Sequence, residues 1–120
     1  MDADKITESI IGCAIAVSNT LGAGFLEKVY ENALVLELQK ASLTVEQQKK
    51  IQVKYENIVV GDYVTDLIVN DSVLLEIKAT KSIDEIHQAQ ILNYLKATGF
   101  RVGLILNFGT PKLGIKRMVL

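Results

Sequence analysis

Asp66, Glu76 and Lys78, in the stretches YVTDLIV and VLLEIKAT, are the residues of this chain whose types and spacing could do chemistry together. Two carboxylates make a hard, all-oxygen donor set. Mg²⁺ or Mn²⁺ suits such a set, since Mg²⁺ accepts one or two carboxylates, keeps several waters and completes its shell with substrate phosphate. A lysine beside that pair can orient or help deprotonate a bound water, or offset the charge that develops on a phosphoryl group in the transition state. This is a minimal set for phosphodiester hydrolysis. The plainer alternative is a half-exposed strand whose Glu and Lys form a weak surface pair, contributing roughly 0 to 1 kcal/mol. The choice depends on where the two strands lie.

Side chains alternate along a strand, so Glu76, Lys78 and Leu74 share one face of a strand over 73 to 79, and Val73, Leu75 and Ile77 share the other. The preceding strand runs from Tyr63 to Val69 and carries Asp66 among apolar neighbours, where an aspartate is disfavoured by propensity. A two-residue turn between the strands puts Asp66 and Glu76 on opposite faces. A three-residue turn, Asn70 to Ser72, pairs Val69 with Val73 and sets Asp66 across from Glu76. We expect the second. Facing carboxylates repel unless a cation lies between them.

The remaining elements follow from periodicity. Apolar residues at 6, 10, 13, 14, 17 and 21 predict a helix that stops at Gly22-Ala23-Gly24. A second helix is expected from about Phe25 to Lys40, with Leu26, Val29, Tyr30, Ala33 and Leu36 buried. From Val45 to Glu56 the period is two, a long strand, with turn chemistry at Asn57 and Gly61-Asp62. Ser82 and Glu85 read as a capping box opening a third helix that ends at Gly99. Arg101 to Asn107 predicts a buried strand and Gly114 to Leu120 a last one. The order α-α-β-β-β-α-β-(β) describes a single α/β (α+β) domain over residues 1–120, with a mixed central sheet flanked by helices. A helix between two strands is a crossover, which joins parallel neighbours and makes the VLLEIK strand central. Charges on a central strand persist only when paired or bound.

Composition narrows the function. With 120 residues, 49% of them hydrophobic, and one proline, the chain is expected to fold as one globular domain. The apolar run IIGCAIAV is too short to span a membrane and follows acidic residues, so a cytoplasmic protein with no membrane partner is expected. The single Cys13 sits at helical spacing and reads as structural, and the single His87 excludes a multi-histidine zinc site. A net charge of −1 argues against coating nucleic acid through a global positive field.

Asp66, then Glu76-Ile77-Lys78, then a helix containing Gln90 resembles the PD-(D/E)XK nuclease superfamily, with its restriction-endonuclease-like αβββαβ core. Gly24-Phe-Leu-Glu27-Lys-Val-Tyr30 matches the signature of the GxxExxY family, a small bacterial group within it, and HQAQILNYLKATG and LILNFG resemble that family's later segments. The resemblance implies a metal-dependent nuclease: Asp66 and Glu76 as ligands of Mg²⁺ or Mn²⁺, Lys78 as the catalytic lysine, Glu27 as an additional acid near the metal, and Gln90 as an orienting amide. It implies a nucleic acid substrate, DNA more than RNA. Thr65 departs from the family's proline before the aspartate. Small size without an obvious recognition element suggests a homodimer or a partner protein. The rival reading is a catalytically weak or inactive nuclease-fold binding or regulatory module.

Overall fold

The computed structural model describes residues 2–120. Three helices and five strands follow one another as α1 (Ala3–Leu21), α2 (Glu27–Lys40), β1 (Val45–Tyr55), β2 (Ile58–Val69), β3 (Val73–Lys78), α3 (Glu85–Thr98), β4 (Val102–Asn107) and β5 (Gly114–Val119). The sheet order is β1-β2-β3-β4-β5, so β3 is the middle strand. Strand β3 pairs antiparallel with β2 and parallel with β4. Helix α3 is the predicted crossover, and the architecture is the expected mixed α+β fold with a restriction-endonuclease-like core.

Two apolar layers sandwich the sheet. Ile6, Ile10, Ala14 and Val17 of α1, with Tyr30, Leu34 and Leu38 of α2, pack on Leu67, Val69, Val73, Leu75 and Ile77. On the other side Ile91, Tyr94 and Leu95 of α3 cover Leu74, Ile105 and Ile51. Because β3 is buried on both faces, its polar side chains are removed from bulk water.

The α1 stripe matches the spacing of its apolar residues, but of the face expected of α2 only Tyr30 is fully buried. Its buried residues are Tyr30, Glu31, Leu34 and Leu38, whereas Leu26 is 80% and Leu36 63% exposed. The helix also starts at Glu27, so Gly24, with φ 117, lies in the preceding turn and not on the helix face. Tyr30 explains the register. Its hydroxyl donates to Gly22 O and accepts from Phe25 N–H, and its ring stacks on Phe108 at 4.8 Å. One buried aromatic tied to the turn fixes which stripe faces inward.

Other local signals shifted. The β1–β2 hairpin turns at Glu56 and Asn57, both with positive φ, and Gly61-Asp62 continues the strand beside a register shift at Val53/Lys54. Asp84, not Ser82, caps α3, and its N–H donates to His87 Nδ1 at 3.2 Å; Ser82 instead donates to Asp84 Oδ1 at 2.9 Å. Gly99 ends α3 in the left-handed conformation, as its sequence position predicts. At Gly109 no other residue fits, since a Cβ would lie 2.2 Å from the Thr80 carbonyl. That close approach, with buried Asn107 accepting from Thr80 N–H and donating to Thr80 O, fastens the β4 exit against the chain leaving β3.

Candidate active site

The turn after β2 has three residues, Asn70 to Ser72, and Val69 pairs with Val73, Ile68 with Leu74 and Leu67 with Leu75. Left-handed φ at Asn70 and Asp71 makes the turn, and the Asn70 carboxamide oxygen accepts from Thr44 N–H at 2.8 Å to hold it. Continuing this register brings Asp66 to Glu76, as the parity of the three-residue turn requires.

At that point backbone pairing between β2 and β3 stops and side chains take over. The Asp66 carboxylate accepts from Ile77 N–H at 2.7 Å, while Asp66 N–H donates to Glu76 Oε1 at 3.4 Å. The fully buried Thr65 hydroxyl donates to Glu76 Oε1 at 2.8 Å. Strand β3 meanwhile stays paired with β4 up to Lys78 and Asn107. The two acids therefore occupy a fork in the sheet, aimed by donors on both strands. Thr65, where the family's proline is absent, serves here as a hydroxyl donor.

Burial and mutual repulsion shape the electrostatics. Desolvation first, then the Asp66 charge, pushes the Glu76 carboxyl up to about 7, against the pull of the Thr65 hydroxyl and of Lys78. Asp66 is raised mainly by desolvation and by Glu31, with the Ile77 amide, Gln48 and Lys78 opposing. Half-buried Lys78 belongs to no ion pair among the described residues. Its charge still reaches both acids. Gln90 of α3 donates to the Tyr94 hydroxyl at 3.0 Å, and burial together with Glu76 pushes that phenol up.

Glu27 is not brought to this group. It lies exposed in the first turn of α2, and the acid that reaches the site is Glu31, one turn later and buried. The Glu31 carboxylate accepts from Lys28 at 2.9 Å and from the amides of Gln47 and Gln48. Gln48 also reaches Asp66 Oδ1 at 3.4 Å, linking the two acids. Neighbouring residues of a regular pleat point apart, yet Gln47 and Gln48 both meet Glu31. The reason is Gln48 itself, with φ 55 in mid-strand. Before this point Val45 packs against the α1–α2 layer, and after it Ile51, of the same parity, packs under α3. On β2, Leu67 likewise faces α1–α2, while Tyr63 lies against Tyr94. The β1–β2 ribbon rolls over at Gln48 and Asp66. Sequence offered two signals for the missed residues: Glu31 sits four residues before Val35 on the Tyr30 side of α2, and Gln47-Gln48 interrupts the apolar alternation of β1.

Asp66 and Glu76, with Glu31 behind them, are the oxygen donors that could hold a cation. Among the described residues no three His, Cys, Asp or Glu side chains converge into a ready-made cage. Two carboxyls made weaker acids than usual by burial and by neighbouring carboxylates nonetheless form a place short of positive charge. Their chemistry fits a hard divalent ion that keeps much of its water.

Comparisons with known proteins bear on the family and the fold. No match to a curated protein is found. The crystal structure of SSO0001 is similar with a TM-score of 0.60 and 17% identity over 77% of this chain, which spans 48% of that one. That likeness concerns the fold alone. The profile of the PD-(D/E)XK nuclease superfamily matches residues 4–118, so the chain belongs to the PD-(D/E)XK nuclease superfamily.

Proposed function

We propose that the chain is a metal-dependent nuclease that hydrolyses nucleic acid phosphodiester bonds, DNA in preference to RNA, in the GxxExxY branch of its superfamily. The observation that carries this reading is the meeting of Asp66 and Glu76 at the fork with Lys78 next along the same strand. For the branch, support comes from Gly24 with its positive φ and from Tyr30 bound to Gly22 and Phe25, which together lock the turn that starts α2.

Asp66 and Glu76 would hold Mg²⁺ or Mn²⁺, with Glu31 as the supporting acid in the role first expected of Glu27. When bound, the ion supplies Lewis acidity toward a phosphate oxygen and makes water a better nucleophile. Thr65 and the Ile77 amide keep the two carboxylates aimed, so little reorganisation is needed when substrate arrives. Lys78, in no ion pair among the described residues, is the cation available to offset the charge that builds up on the phosphoryl oxygens. Gln90 and Tyr94 wall the site from the α3 side, and the protein works as a homodimer or beside a partner. The test is incubation of the purified protein with single- and double-stranded DNA and RNA, with Mg²⁺ or Mn²⁺ and then with chelator. Cleavage is expected with metal and should fall by about 10²-fold or more in Lys78→Ala. Cleavage unchanged in that variant, or absent with every metal and substrate, refutes the assignment.

A binding module without turnover is the second reading, favoured because Glu31 reaches Asp66 only through Gln48, and no group of three acids converges among the described residues. Metal binding by titration calorimetry with no cleavage would select it.

A further inference from the structure

Between the outer half of the β1–β2 ribbon and α3 lies a groove of about 760 Å³. One wall carries Lys54 and Tyr63, the other Gln90, Asn93, Tyr94 and Lys96. Among the described residues no Asp or Glu lines it, although the chain as a whole has a net charge of −1. One lysine on each wall and no acid make it a place for an anion that runs between the walls. Tyr63 is 50% exposed, with its ring 5.7 Å from that of Tyr94. The groove leads toward the acids at Tyr94, whose hydroxyl accepts from Gln90 and lies in the field of Glu76 and Asp66.

A half-exposed aromatic ring in a groove with a cation on each wall and side-chain amides is a combination that binds unpaired bases: the ring stacks on a base, the lysines take phosphates, and the amides meet base edges. A duplex offers only phosphates here, because its bases are stacked on one another. We propose that the groove binds single-stranded nucleic acid, one base stacked on Tyr63 and the backbone passing Lys54 and Lys96 toward the fork. The proposal builds on the nuclease reading by naming its substrate form, but binding can be measured without cleavage.

The experiment is fluorescence anisotropy in chelator, with labelled DNA and RNA strands of about 12 nucleotides, within the span such grooves cover, and the corresponding duplexes. Single strands should bind more tightly than duplexes. Tyr63→Ala should weaken strand binding about tenfold and leave duplex binding unchanged, whereas Tyr63→Phe, which keeps the ring, should bind like the parent. Lys54→Ala and Lys96→Ala should each reduce the salt dependence of strand binding by about 0.7 in the log–log slope. The DNA and RNA arms identify the strand, and dependence on Tyr63 in either supports the proposal. Duplex bound as tightly as single strand, or Tyr63→Ala equal to the parent, overturns it. So does a dimer on size exclusion that Tyr63→Ala dissolves while no strand binds. Strand binding that needs Tyr63 but leads to no cleavage upholds the groove and defeats the nuclease reading. Cleavage of duplex alone does the reverse.

Discussion

Replacing Glu76 by Gln should stabilise the metal-free protein at high pH, an effect opposite to that of most substitutions in a buried site. The Glu76 carboxyl is moved from 4.5 to about 7 by burial and by Asp66. A native acid weaker than its unfolded counterpart holds its proton while the unfolded chain releases it. Its favourable contribution is therefore complete below about pH 4.5 and is lost as pH rises through about 7. The shift is equivalent to about 3 kcal/mol, a large share of the roughly 5 to 15 kcal/mol that holds such a domain together. Gln cannot ionise, and its carbonyl can still accept the Thr65 hydroxyl. In chelator, the parent should lose about 3 kcal/mol between about pH 5 and pH 8 relative to Glu76→Gln, a difference on the order of 10 °C in melting temperature at the upper pH. Adding Mg²⁺ at that pH should recover stability in the parent and leave the variant unmoved. Urea unfolding across the pH series measures all of this. Parallel pH profiles for the two proteins, or a variant less stable than the parent at pH 8, would refute the view that Glu76 sits desolvated against a second carboxylate.

Thr65→Val removes the buried hydroxyl while nearly keeping its shape, leaving Glu76 short of a donor; a loss of about 1 to 3 kcal/mol at pH 8, smaller at pH 5, is expected in the same unfolding assay. Gln48→Gly accommodates φ 55 without the cost of a left-handed non-glycine residue, so stability should hold or rise by about 1 kcal/mol, while nuclease activity falls as the amide between Glu31 and Asp66 is lost. Glu31→Gln should lower cleavage more than Glu27→Gln, since only Glu31 is bonded into the acid cluster; single-turnover rates compare them.

Several features were legible in residue order because a local rule sufficed. The α1 stripe needed only helical spacing, and the crossover at α3 fixed β3 as central and parallel to β4. The meeting of Asp66 with Glu76 depended on the parity of one turn, which Asn70 and Asp71 can enter at positive φ. What was not legible was set by tertiary contacts. On α2 the choice between the Tyr30-Leu34-Leu38 stripe and the Leu26-Val29-Leu36 side was made by the stacking of Tyr30 on Phe108, a residue far along the chain. That choice also decided that Glu31, and not Glu27, turns inward. Thr65 gave no signal because its value lies in a hydroxyl across the fork. Gln48 and its neighbour interrupt the apolar alternation of β1, but residue order alone does not say that the strand rolls over there.

The roll-over at Gln48 divides the β1–β2 ribbon into two stretches with separate inside-outside frames. Inward of it, any slip of one residue would turn Leu67 and Val69 out of the core and carry Asp66 away from Glu76. Outward of it, the ribbon answers to Ile51, to Tyr63 against Tyr94 and to its own turn at Glu56-Asn57, so beyond the Ile51–Tyr63 pair residues can be added or removed two at a time without disturbing the acids. Length and composition of the outer ribbon can therefore be redesigned while Asp66 and Glu76 keep their places at the fork.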